Sequence, residues 1–126
     1  MAKKSKRAKL TKKLDDLCRE AVRNRDKNTC QKCHKKIEGS NSQPCHVVAK
    51  GKGASLRRFD LMNIFLGCMH CHQQWHLNPL DSAAWFKKTF PERYAYLEIY
   101  RGGKPAPIKT AEMELLVEKM KGKQNV

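Results

Sequence analysis

Two Cys-x-x-Cys pairs, Cys30 with Cys33 and Cys68 with Cys71, frame His46, and the second pair runs into His72 and His76. Four thiolates in two such turns suit one tetrahedral structural zinc. Each turn presents two sulfurs on one side of a tight loop, so the pairs together would pin the N-terminal region to the middle of the chain. His72 and His76 are four residues apart, which puts them on one face of a helix. Two imidazoles so placed suit a second divalent ion with open positions. His46, Asn63 and a basic stretch, Lys50, Lys52, Arg57 and Arg58, lie between the cysteine pairs. One short chain with two metal sites and a large positive charge points to a metal-dependent enzyme acting on a polyanion.

The charge supports that partner. The chain has 126 residues, with 27 Lys and Arg against 12 Asp and Glu, for a formal charge of +15. Such an excess points to nucleic acid. The length favours one domain. No apolar run is long enough to span a membrane. The basic start, Met1 to Arg7, has no apolar segment behind it, so it is not a secretion signal. The expected compartment is the cytoplasm, where thiols stay reduced and six cysteines read as metal ligands before disulfides. Cys18 reads as a buried apolar residue.

Both cysteine pairs are followed by histidine, as Cys33-His34 and Cys71-His72, and so match the haem-attachment pattern. That reading is set aside. It goes with export, and it leaves the complementary pairing of the two turns unexplained.

These residues need elements to position them. Residues 1–13 hold seven Lys or Arg and no acid, and read as a flexible basic arm or a frayed helix start. Helical spacing of apolar residues predicts a helix from Thr11 to Arg25. Short strands are expected at Pro44–Val48 and Leu61–Leu66, joined by the basic loop around Lys50-Gly51-Lys52-Gly53. A helix from Cys71 to Leu77 should stop at Asn78-Pro79. Asp81 or Ser82 can cap the next helix, to Phe90, with Trp85 and Phe86 as core candidates. Pro91 suits the first turn of another, ending near Gly102-Gly103. Thr110 can cap a last helix with Met113, Leu116, Val117 and Met120 on one face. The expected class is α+β: a single domain over 14–126, with a central motif at 30–79 and C-terminal helices over 81–122.

The order Cys45-His46, Asn63, His72, His76 resembles the HNH, or ββα-metal, nucleases, and its spacing resembles that of the colicin-type members. The flanking Cys-x-x-Cys pairs resemble the zinc-bearing branch found in phages and bacteria. Arg57-Arg58-Phe59-Asp60-Leu61-Met62-Asn63, with Asn78-Pro79-Leu80 and Trp85-Phe86 after it, is similar to phage recombination nucleases of the NinG (Rap) type. The resemblance implies a small ββα-metal motif with a structural zinc, flanked by helices. It also implies a DNA endonuclease acting on branched recombination intermediates and leaving 5′-phosphates.

On that reading each residue has a physical role. Neutral His46 can take a proton from water as general base. Asn63 would bridge backbone groups of the loop after His46. His72 and His76 would hold the catalytic ion (Mg²⁺, Mn²⁺, Ni²⁺, Co²⁺ or Zn²⁺), a Lewis acid toward the phosphate. Arg57 and Arg58 would bind phosphate bidentately, and Lys50 and Lys52 more loosely. Cys45 stands where the family often has Asp or His as a ligand and the NinG-like group tends to have a non-ligating residue, so the resemblance leans toward Cys45 not being a full ligand. As a ligand, its soft thiolate would favour a transition metal over magnesium; placed beside the base, it could also act as a redox switch. The protein would be a monomer or a homodimer. The main rival is a non-catalytic zinc-ribbon protein that binds nucleic acid, followed by a ribosome-associated structural protein. Both explain the charge and the four cysteines, but not His46, Asn63 and the histidine pair.

Overall fold

The computed structural model describes residues 4–124 and shows an α+β chain of five helices and one two-stranded sheet. Helix α1 spans Lys6–Arg25. It starts five residues before Thr11 because Ser5 caps it, Oγ accepting from Ala8 N at 3.0 Å. The basic run is therefore helical from Lys6 onward, and it is tied down. Arg7 donates to the Ile108 carbonyl at 2.6 Å, and Lys6 pairs with Glu114. The part of the expected arm at residues 1–3 lies outside the described residues. Leu14, Cys18 and Val22, one turn apart, form the buried stripe of α1. The helix ends at Asp26, and positive φ at Lys27 and Asn28 turns the chain into the first cysteine loop.

Strand β1 (Gln43–His46) pairs antiparallel with β2 (Ile64–Gly67), Cys45 opposite Phe65 and His46 opposite Ile64. Both are shorter than the expected strands. Asp60 accepts from Met62 N through its side chain and bends Leu61–Asn63 into a 3-10 turn, so β2 begins only after Asn63. Alternation along β2 divides the interior. Ile64 and Leu66 face a core built from α1 and the last helix. Phe65 faces a second, aromatic core with Phe86, Trp75 and Trp85.

Helix α2 (Met69–Leu77) is capped by the Cys68 thiol, which accepts from Cys71 N at 3.3 Å. It stops at Asn78, and Pro79 opens α3 (Pro79–Thr89). Asn78 thus holds the capping position expected for Asp81 or Ser82. Ser82 is buried and donates to the Trp75 carbonyl at 3.1 Å, which fastens α3 to α2. Pro91 opens α4 (Pro91–Leu97), and α5 (Thr110–Gln124) packs on α1 through Met113, Val117 and Met120. Among the described residues no helix is long and apolar enough to cross a membrane.

Candidate functional site

The two cysteine loops meet. The four thiol sulfurs of Cys30, Cys33, Cys68 and Cys71 lie within 4.8 Å of one another, and Cys33 Sγ is 3.8 Å from Cys68 Sγ. Sulfurs sharing one tetrahedral zinc at about 2.3 Å would be separated by about 3.8 Å. Each loop also turns an amide onto its first sulfur, Cys33 N to Cys30 and Cys71 N to Cys68. Positive φ at His34 closes the first loop. Burial alone would push the Cys30 thiol up. Amide bonds from Cys33, Cys68 and Lys32 outweigh it and bring the group down to about 7. The cluster could hold a metal ion, and all-thiol donors at this spacing fit zinc.

His46 ends β1, where its ring is held on one side. Nε2 lies 2.9 Å from the Arg58 carbonyl. A carbonyl can only accept, so Nε2 carries the proton and Nδ1 keeps the lone pair. Burial lowers the pKa of His46, and the nearby charge of Lys50 adds to the effect, so the ring is neutral at pH 7.

Asn63 is fully buried and ties both ends of the loop that follows His46. Its Nδ2 donates to the carbonyls of Val48 and Arg57, each at 2.9 Å, and its Oδ1 accepts from Val48 N at 2.7 Å. Its own carbonyl accepts from Val47 N at 2.9 Å. Arg57 precedes the residue whose carbonyl holds His46, so the amide of Asn63 sets the position of that carbonyl. Gly51 is required in the same loop: its φ is +70°, and a Cβ there would come within 2.7 Å of the Pro105 ring.

On α2, His72 and His76 converge, with Nε2 atoms 3.1 Å apart. Two imidazoles sharing one ion at about 2.1 Å would place these atoms about 3.0–3.4 Å apart for angles between square and tetrahedral. His72 Nδ1 donates to Gln43 Oε1 at 2.7 Å, which leaves its Nε2 lone pair for an ion. The donor set therefore fits a divalent cation. Burial lowers the pKa of His72, and the charges of His76 and Lys50 add to it. His46 and His76 line one cleft of about 240 Å³, walled by Trp75, Pro79 and Tyr94.

Other expected residues lie elsewhere. Cys45 does not converge with the histidine pair. Its thiol is fully buried in the aromatic cluster with Phe65 and Phe86, and burial holds it protonated. Among the described residues, no set of three or more His, Cys, Asp or Glu donors converges except the four thiols. Arg57 is buried, donates to the Gly103 carbonyl at 2.8 Å and lies over the Tyr100 ring. Arg58 forms a two-pronged pair with Asp15 at 3.0 and 2.7 Å and also reaches the Gly53 carbonyl. Both guanidiniums hold the loop instead of standing free for a phosphate. Lys50 and Lys52 are exposed, and the charge of Lys50 acts on both His46 and His72.

Gln43 was not anticipated as a partner of His72. Its contact spans 29 residues and has no local signal. Comparison with known proteins finds no matching family model, curated protein or solved structure.

Proposed function

We propose that this chain is a metal-dependent endonuclease of the HNH type that hydrolyses DNA phosphodiester bonds, with branched recombination intermediates as its substrate class. One observation carries the reading: a neutral histidine with a free Nδ1 shares a cleft with His76, whose Nε2 meets that of His72. A structural zinc site alone requires neither.

His46 Nδ1 takes a proton from a water lying in the cleft, and the water oxygen attacks phosphorus. The Arg58 carbonyl keeps Nε2 protonated through the step, and Asn63 keeps that carbonyl in place. Lys50 draws the phosphate toward the two histidines. A divalent ion on His72 and His76 supplies, when bound, Lewis-acid stabilisation of charge on the phosphate and the departing 3′ oxygen. Two imidazole donors favour Mn²⁺, Co²⁺, Ni²⁺ or Zn²⁺ over Mg²⁺.

The test is cleavage of supercoiled plasmid, single strand and a four-way junction by zinc-loaded protein, with each ion or EDTA. Cutting that depends on the added ion and leaves 5′-phosphate ends supports the reading. Tight binding without cutting under every ion supports the zinc-ribbon binding module instead.

A further inference from the structure

His72 lines a second cavity, of about 420 Å³, which His46 and His76 do not reach. Gln43, the residue that orients His72, lines it as well, together with Arg19 and Arg23 of α1. Among the described residues no carboxylate lines it. Arg19 and Arg23 are one helical turn apart and so share a face. Arg23 is anchored by Nε to the Ser42 hydroxyl at 3.1 Å and by longer contacts to the Gly39 and Ser42 carbonyls. Arg19 is exposed. The nearest acid, Asp16, lies 3.7 Å away and already takes Lys12 at 2.8 Å. The groove is thus a run of positive charge that reaches His72.

We propose that this groove seats the sugar–phosphate backbone of the nucleic-acid strand flanking the bond to be cut. Arg19 and Arg23 are then phosphate-positioning residues. The inference rests on the nuclease reading for where the cut falls, but not for the binding itself. Two arginines at helical repeat, leading to His72, match a chain of phosphates. The seat also gives the strand a direction: it leaves the cleft past Gln43 and crosses α1.

The experiment compares wild type with Arg19→Ala, Arg19→Glu and Arg23→Lys, all zinc-loaded and without a second divalent ion. Affinity for a fluorescent oligonucleotide is followed across salt concentrations. Arg19→Ala is expected to make the log–log salt slope shallower by about 0.7 for a single strand or about 0.9 for a duplex. Arg19→Glu weakens low-salt binding by roughly tenfold or more. Arg23→Lys keeps most of the affinity, because it keeps the charge.

Cleavage of substrates shortened from either end gives a second readout. The Arg19→Ala defect should vanish once the nucleotides on one side of the cut are removed. Unchanged slope and affinity in both Arg19 variants, with native circular dichroism, would overturn the proposal. Failure of the wild type to cut would count against the nuclease reading alone, since the salt slope tests the seat without cleavage.

Discussion

The Nε2 atoms of His72 and His76 lie 3.1 Å apart, and Gln43 holds the far nitrogen of His72. A ring held this way points its lone pair at its neighbour before any ion arrives. Removing the holder should loosen the pair without removing a ligand. Gln43→Ala is expected to weaken binding of the second ion about 10–100-fold. Titration of zinc-loaded protein with Mn²⁺ or Ni²⁺ checks this. Unchanged affinity would mean that the ring is oriented by packing alone.

The cysteines divide by surroundings. Cys71→Ser should lose stoichiometric zinc and lower the melting temperature, because the metal that the four thiols could hold joins two loops far apart in the chain. Cys45→Ala should keep the zinc and the second-ion affinity, at a cost of about 1 kcal/mol from lost packing against Phe65 and Phe86. Metal content per chain and thermal unfolding separate the two. Loss of second-ion binding in Cys45→Ala would restore Cys45 as a ligand.

Asn63 carries three side-chain hydrogen bonds in a fully buried position. Asn63→Ala leaves two carbonyls and one amide of the loop without partners, each worth about 1–3 kcal/mol. Denaturant unfolding should show a loss of several kcal/mol. Asn63→Asp should also destabilise, because a carboxylate cannot donate to the Val48 and Arg57 carbonyls. Near-native stability in both would place the control of the loop elsewhere.

The parts of this site readable from sequence are those set by local spacing. Paired thiols in a Cys-x-x-Cys turn and histidines one turn apart bring their own geometry. The rest depends on contacts between distant segments. Arg58 is taken by Asp15, 43 residues away, and Gln43 reaches His72 across 29. No pattern along the chain announces either pairing. Cys45 and His46 are neighbours on a strand and so face opposite ways. Which side is dry depends on Trp75, Phe86 and the helices that carry them. The early start of α1 is legible in Ser5, a capping residue at the head of the basic run, but the density of charge there left a flexible arm and a frayed helix start both open.

The acid limb of activity follows from His46. Burial lowers its pKa below the ordinary histidine value of 6.5, so the base form persists as pH falls to that point. The rate should therefore decline only below about pH 6.5. The same depression means that the fold is stabilised by the neutral ring above the unfolded pKa. That contribution is lost as pH falls through the folded one. A profile of kcat/KM against pH at saturating ion checks the limb. A midpoint above 7 would indicate that His46 is stabilised as a cation, contrary to its burial.

The central claim is that His46 acts as the base beside the histidine pair, and the His46→Ala variant tests it most directly. Zinc content, circular dichroism and oligonucleotide affinity should match the wild type. Ion-dependent cleavage of plasmid or junction DNA should fall by about 10²–10⁴-fold, the usual worth of a positioned base. Cleavage at the wild-type rate by a folded, zinc-loaded His46→Ala protein would contradict the account.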